Sequence, residues 1–595
     1  MNAPSSAAPR WDLDRVTPGG VSGDPWRAGL AALLQTVAAL RSAGEALGPV
    51  DGGAGWAGFL EAAASAEHAL RTLSAAAWCE AAVRATDPAA SAAIAAIEAA
   101  SQDLEAAWTL PEAALRQADD AAWAALLSTP AGAAQADGLR WRRVAARARP
   151  AADQQRVVVA LSDAAMHAWG RRYNKTAARV VVDLNGERLS HGQAFNRLGD
   201  PDPAQRRAAH AAISTAWSAV ADDCAECLDH IIGTRATIAA LAGRAPLDEA
   251  LDHNRLSKAT LDALLAACAA GRPVLWRALA LRARLLGVER VDWADLSAPV
   301  GGADAHVPWS EAEATVRRCF AAQSPAMGAF AARAFDDGWI EAEDRGGKRH
   351  GAFCIALPSH QQSRVFMTYS GRTHNLITLA HELGHAYHND VLMGEPAASR
   401  SLPYTLAETA STFAEAVVRG DLLAAAAGMP HELALLDQEL QSAFTMLLNI
   451  PMRFALEQEL FEQRAAGGLS VGVLCARTEA LQREAYGPSL GDAYPLFWAE
   501  KLHFYLTRAP FYNFPYAFGY FFSALVVARA RAAGPAFADK IAALLADTGR
   551  CTVEEVAQRH LGVDLTDAEA WRPVLDEISR LVDRYEALIE QHMGR

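Results

Sequence analysis

Residues 381 to 388 read HELGHAYH, inside the longer run NLITLAHELGHAYHNDVLMG. On a helix, His381 and His385 are four apart and share a face, so both imidazoles can reach one ion. Glu382 follows His381 directly and points to the side of such an ion rather than at it. A general base for a metal-activated water belongs there. A bare HExxH also fits a helix with two ordinary surface histidines, so the motif needs a third ligand. A catalytic zinc usually takes three protein ligands and keeps one position open. Downstream, TLAETASTFAEAVVRG (405 to 420) has a helical period that places Glu408 and Glu415 on one face, two turns apart. Leu406, Ala407, Ala410, Phe413 and Ala414 flank them, so that face reads as buried. Two buried carboxylates without partners are costly, and a cation with its histidines would relieve the cost. One carboxylate would ligate, and the other could accept the second N–H of a ligating histidine.

These residues need elements to hold them. Asn375 or Thr373 could cap the motif helix at its start, and Gly394 is a plausible stop. Just upstream, GAFCIAL (351 to 357) and SRVFMTYSG (363 to 371) read as a strand pair joined through 358 to 362. VVVDLNGERLS (180 to 190) carries a β-branched run and an Asn-Gly turn, which predicts a second hairpin. The rest is alanine-rich with apolar residues three and four apart, as in 92 to 108 and 261 to 287, which predicts amphipathic helices. Breaks fall at 197 to 207 and 296 to 310. A helical N-terminal region over 1–200 and a catalytic region over 201–595 are expected.

The bulk numbers exclude some partners. The chain has 595 residues, half of them hydrophobic, and a formal net charge of −14. That balance argues against nucleic acid or an anionic membrane, both of which reward a basic surface. No secretory signal or membrane-spanning run is read, and eight scattered cysteines suit a reducing cytoplasm. Cys224 and Cys227 form CAEC without a second pair, so they read as helix cysteines rather than a zinc site. The triplet NKT at 174 to 176 is discounted for want of a secretory signal.

The sequence resembles the thimet oligopeptidase and oligoendopeptidase F family of zinc peptidases. The resemblance is carried by HELGHAYH followed by LAETASTFAE, by WDLDRVTPGG (11 to 20), by GAFCIALPSHQQSRVFMTYSG, and by KLHFYLTRAPFYNFPYAFGYFFS (501 to 523). It implies one Zn2+ held by His381, His385 and Glu408, with Glu382 as base and Glu415 behind a ligating histidine. It implies a mainly α, two-lobed metallopeptidase with a deep central channel and a small β-sheet beside the zinc helix. It implies that a substrate peptide adds to the strand edge through main-chain bonds, with Tyr369, Ser370, Gly371 and Tyr520 as substrate contacts. The last segment gathers His503, Tyr505, Tyr512, Tyr516 and Tyr520, donors suited to a developing oxyanion. His503 is the implied histidine. The family's tyrosine falls on Phe514 here, which cannot donate, so Tyr512 or Tyr516 would serve, with Tyr516 preferred.

The expected function is zinc-dependent endopeptidase cleavage of short unstructured oligopeptides in the cytoplasm. Competing readings are a zinc carboxypeptidase or peptidyl-dipeptidase trimming peptide ends, and an inactive peptide-binding relative. The intact HExxH and Glu408 argue against the last. His388 is expected to hydrogen-bond on the helix surface or line the cleft. His360 and His374 are loop residues that could touch substrate.

Overall fold

In the computed structural model, which describes residues 8–300, 306–426 and 431–593, the alanine-rich runs form long helices and the protein is mainly α. Pro88–Ala107 starts where the Asp87 side chain accepts from the Ala89 N–H. Lys258–Leu286 stops where Gly287 enters the left-handed region at φ 68°. That second helix is long and apolar enough to cross a membrane, but it packs on the last helix, Arg572–Met593, and buries Arg282 against Asp437. The predicted hairpin forms from Val181–Leu184 and Glu187–Ser190, with Asn185 and Gly186 at φ 56° and 86° in the turn. Cys224 and Cys227 lie buried within the helix Ala221–Ala242, as read.

The chain divides differently from the expected break near residue 200. It forms two compact units, each assembled from three separated segments. The first comprises Met1–Arg147, Asp304–Ala424 and Phe522–Gly562; the second comprises Ala148–Ala303, Ala425–Phe521 and Val563–Arg595. Proline- and aspartate-rich stretches mark where helices end, whereas units are decided by which helices bury faces on one another. Within 197 to 207 only Asp200–Asp202 links helical turns, between Arg197–Gly199 and the helix Pro203–Ser218 inside the second unit, and the stretch at 296 to 310 lies partly outside the described residues.

In the first unit, Trp26, Leu33, Trp56, Phe59 and Trp108 form a helical core. Beside it stands a three-stranded sheet in the order Ile340–Glu341, Gln362–Phe366, Phe353–Leu357. The last two strands are antiparallel, with Phe353 opposite Phe366 and Leu357 opposite Gln362. The expected return strand, 363 to 371, stops as a strand at Phe366. Beyond it Met367 and Tyr369 still donate their N–H groups to the Glu341 and Ala342 carbonyls. The N-terminal segment clamps the far side. The Ala342 N–H donates to the Pro9 carbonyl, and the Trp11 indole N–H donates to the Trp339 carbonyl at 2.7 Å. Phe353–Leu357 is left as the outer strand, and the helix Thr373–Met393 packs on it and on its neighbour.

Candidate active site

The helix Thr373–Met393 carries HELGH, and Asn375 ties its start to the preceding turn. The Asn375 Oδ1 accepts from the Ser370 N–H at 3.1 Å, the Ser370 hydroxyl at 2.9 Å and the Arg372 N–H at 3.1 Å. Gly371 turns the chain at φ 80°, and a Cβ there would lie 2.3 Å from the His306 ring. Its carbonyl accepts from the Val307 N–H at 2.8 Å. The expected substrate contacts Tyr369, Ser370 and Gly371 therefore have structural work to do. Tyr369 is a correction: its side chain is buried, its hydroxyl donates to the Val307 carbonyl at 2.8 Å, and its ring stands edge-on to Trp309. A hydroxyl so committed is not offered to a peptide.

Glu408 does not sit within a continuous helix, as the period predicted. It interrupts two helices, Tyr404–Ala407 and Thr409–Ala426, with φ −88° and ψ 2°. Ser523 donates its hydroxyl to the Glu408 carbonyl, and Ser411 donates to the Glu408 Oε2 at 2.8 Å. The break turns the carboxylate toward the histidines. The Glu408 Oε2 lies 3.3 Å from the His385 Nε2 and 3.5 Å from the His381 Nε2. One ligand atom from each of the three residues lies within 4.8 Å of the others. The face is half-buried rather than buried, with the Glu408 and Glu415 side chains 33% and 20% exposed.

Close approach of the two helices requires Gly384. A Cβ there would meet the Ala410 carbonyl and the Ser411 Cα, both at 2.6 Å. The middle of HELGH is thus a packing position as well as a spacer.

Glu415 takes the position behind His381. Its Oε1 lies 2.6 Å from the His381 Nδ1, and Arg419 donates to its other oxygen at 3.0 Å. That bond places the proton on Nδ1 and leaves Nε2 to face Glu408 and His385. Burial disfavours charge on His381, but the hydrogen bond and charge of Glu415, with Glu408 and Glu382 nearby, raise it to about 9. Burial also opposes ionisation of Glu408, yet the two histidines and Ser411 hold it ionised at about 2. Ser411 and Arg419 escaped the sequence reading. Their spacings of three from Glu408 and four from Glu415 were the available signal.

Glu382 is 5% exposed, and its Oε2 has no hydrogen-bond partner among the described residues. Burial raises its pKa, against the pull of His381 and His385. A carboxylate with raised proton affinity and a free oxygen is suited to accept a proton and pass it on.

His388 is also corrected. It is 1% exposed, and its Nε2 meets the Thr548 hydroxyl at 2.8 Å, so it is a core histidine rather than a surface one. Burial first, then the charge of His385, push its pKa down to about 3. His360 and His374 are exposed, paired with the Ser359 and Thr378 hydroxyls.

His503, Tyr512 and Tyr516 come together within the second unit. Their ring centroids are 5.9, 6.0 and 5.6 Å apart, pair by pair. Burial, then the charges of Arg453 and Lys501, lower His503 to about 4, so its imidazole is neutral at pH 7. Phe514 is buried against Phe454, in keeping with its inability to donate. Tyr520 lies one turn after Tyr516 in the helix Phe514–Ala533 and packs edge-on to Phe521.

Residues 327–572 match the profile of peptidase family M3. That stretch is therefore similar to the M3 peptidases, and the relatives that the chain matches are named as oligoendopeptidases F and oligopeptidases. It contains every candidate site residue named above. The chain is 27% identical over 277 residues to oligoendopeptidase F, chromosomal, of Lactococcus lactis subsp. cremoris, covering 46% of this chain and 45% of the relative. It is 23% identical over 415 residues to oligopeptidase PepF of Bacillus subtilis (strain 168), covering 68% and 61%. The match thus spans less than half the length of the Lactococcus relative. In fold, the chain superposes on oligoendopeptidase-F from Enterococcus faecium with a TM-score of 0.70 at 17% identity, covering 94% of this chain and 98% of the other.

Proposed function

We propose that this protein is a zinc-dependent endopeptidase of the M3 type that hydrolyses short unstructured oligopeptides in the cytoplasm. The observation that carries the reading is the meeting of the His381 and His385 nitrogens with the Glu408 carboxylate, with a Glu382 oxygen nearby that has no hydrogen-bond partner among the described residues. The donor set fits zinc: two imidazoles and one ionised carboxylate, with one imidazole oriented by Glu415. A bound zinc would supply Lewis acidity for the scissile carbonyl and a lowered pKa for the attacking water. Glu382 accepts the proton of that water through its free oxygen and returns it to the leaving amine. Glu415 keeps His381 in the required tautomer, and Gly384 lets the Glu408 segment approach. The outer strand Phe353–Leu357 offers a main-chain edge to an extended peptide, which suits a substrate range indifferent to side chains. His503 and Tyr516, or Tyr512, are assigned to the developing oxyanion on their chemistry and on the resemblance.

The test is mass spectrometry of products from a mixed peptide pool, with and without chelator, beside intact casein. Internal cuts in short peptides that vanish with chelator and return with zinc are expected, with casein spared. Release of single residues or dipeptides from peptide ends would transfer the assignment to a carboxypeptidase or peptidyl-dipeptidase. Chelator-resistant cleavage would end the metal reading.

A further inference from the structure

The second unit holds a pocket of about 210 Å³ that the reaction above does not use. Its walls are aromatic. Trp293 stands edge-to-face with Tyr486 at 5.5 Å and with Phe497 at 5.1 Å. Two cations line it, both against the same ring: Arg453 at 5.2 Å and Lys501 at 5.0 Å from the Phe497 centroid. The pocket lining includes one carboxylate, Glu500, and Lys501 already holds it at 2.7 Å. Arg453 has no carboxylate at ion-pair distance among the described residues. Its hydrogen bond is a long one, from Nη1 to the Asn513 amide oxygen at 3.5 Å, and its Nε is buried without a partner. A buried or half-buried charge left unmatched is costly, and an incoming anion would relieve that cost. The guanidinium fork matches a carboxylate in geometry as well as charge. The π-helical turn Thr445–Asn449 also contributes to the wall, a backbone irregularity that recurs at binding sites. Arg453 and Lys501 are the same charges that depress His503, so the pocket adjoins the His503 cluster within this unit.

We propose that this pocket is a subsite for a peptide carboxylate, with Arg453 pairing the anion and Trp293 and Phe497 holding the apolar side chain beside it. The inference rests on the peptide-substrate reading and names a feature of the substrate. The carboxylate could come from the C-terminus of the peptide or from an aspartate or glutamate within it.

The test is binding to the chelator-treated protein, so no turnover is needed. Short apolar peptides of one sequence are compared as the free acid, the C-terminal amide, and the amide with one internal Glu. A carboxylate-bearing peptide should bind about ten- to a hundredfold tighter than the neutral amide, and the form that gains identifies the source. Arg453→Met should erase the gain, and Arg453→Lys should keep part of it. If Arg453→Met fails to fold, Thr445→Glu places a competing carboxylate on the exposed part of the wall and should erase the gain instead. Equal binding of all peptide forms, or a gain that survives the substitutions, would overturn the proposal. A carboxylate preference in a protein that hydrolyses nothing when loaded with zinc would sink the peptidase reading and leave the pocket standing.

Discussion

At the scale of single residues, His381 depends on Glu415, and Glu415 in turn on Arg419. Replacing Glu415 by Gln should weaken zinc binding by about ten- to a hundredfold, since the partner behind a ligating histidine typically carries that much. Competition with a chromophoric chelator measures it. Glu382→Gln should leave one zinc bound and lower kcat on the order of a hundredfold or more. Near-normal turnover would remove Glu382 from the base role. His388 gives a pH signature. Its folded pKa, about 3, lies below the ordinary 6.5. The unfolded chain takes up a proton that the folded chain refuses, so stability falls as pH drops from 6.5 toward 3. The limiting slope is about 1.4 kcal/mol per pH unit. Urea titrations at stepped pH should show a shallower acid-side loss in His388→Gln than in the parent. Equal slopes would refute the assignment.

At the scale of elements, the site is two helices that touch through a glycine. Gly384→Ala would place a methyl 2.6 Å from the backbone of the facing helix, where no flexible side chain can give way. The expected cost is about 1–3 kcal/mol, as for overpacked cores, together with weaker zinc binding. Urea midpoint and zinc affinity should fall together. Loss of stability with zinc affinity intact would mean that the contact does not set the site. The HELGH helix was legible because imidazoles four apart and a terminal Gly394 are local signals. The break at Glu408 was not. Its surroundings have a helical period, and what interrupts the helix includes a carbonyl taken by Ser523, more than a hundred residues away in sequence. Ser370 and Gly371 show the same overlap: polar residues before a helix can shape its start as well as face a substrate.

At the scale of the molecule, each unit draws on three segments, so a single cut in the chain cannot separate them. The fragment 201–595 lacks the first segment of the unit that holds His381 and Glu408. Expressed alone, it should bind no zinc and should unfold without a cooperative transition for that unit. Co-expression with 1–200 should restore both. A stable, zinc-binding 201–595 would show that the N-terminal helices are dispensable to the site.

What the sequence determined by itself is the chemistry available: two imidazoles one turn apart, an adjacent carboxylate, a pair of glutamates downstream and a donor-rich aromatic segment. These are properties of residue type and short spacing, which covalent geometry and helical period fix. Only the tertiary structure decided which carboxylate faces the imidazoles and which stands behind them. It also decided that Tyr369 and His388 belong to the core, and that Arg453 stands beside a pocket with no carboxylate at ion-pair distance among the described residues. Each of these depends on which distant segments pack together, and packing is set by the burial of whole helix faces rather than by any local pattern.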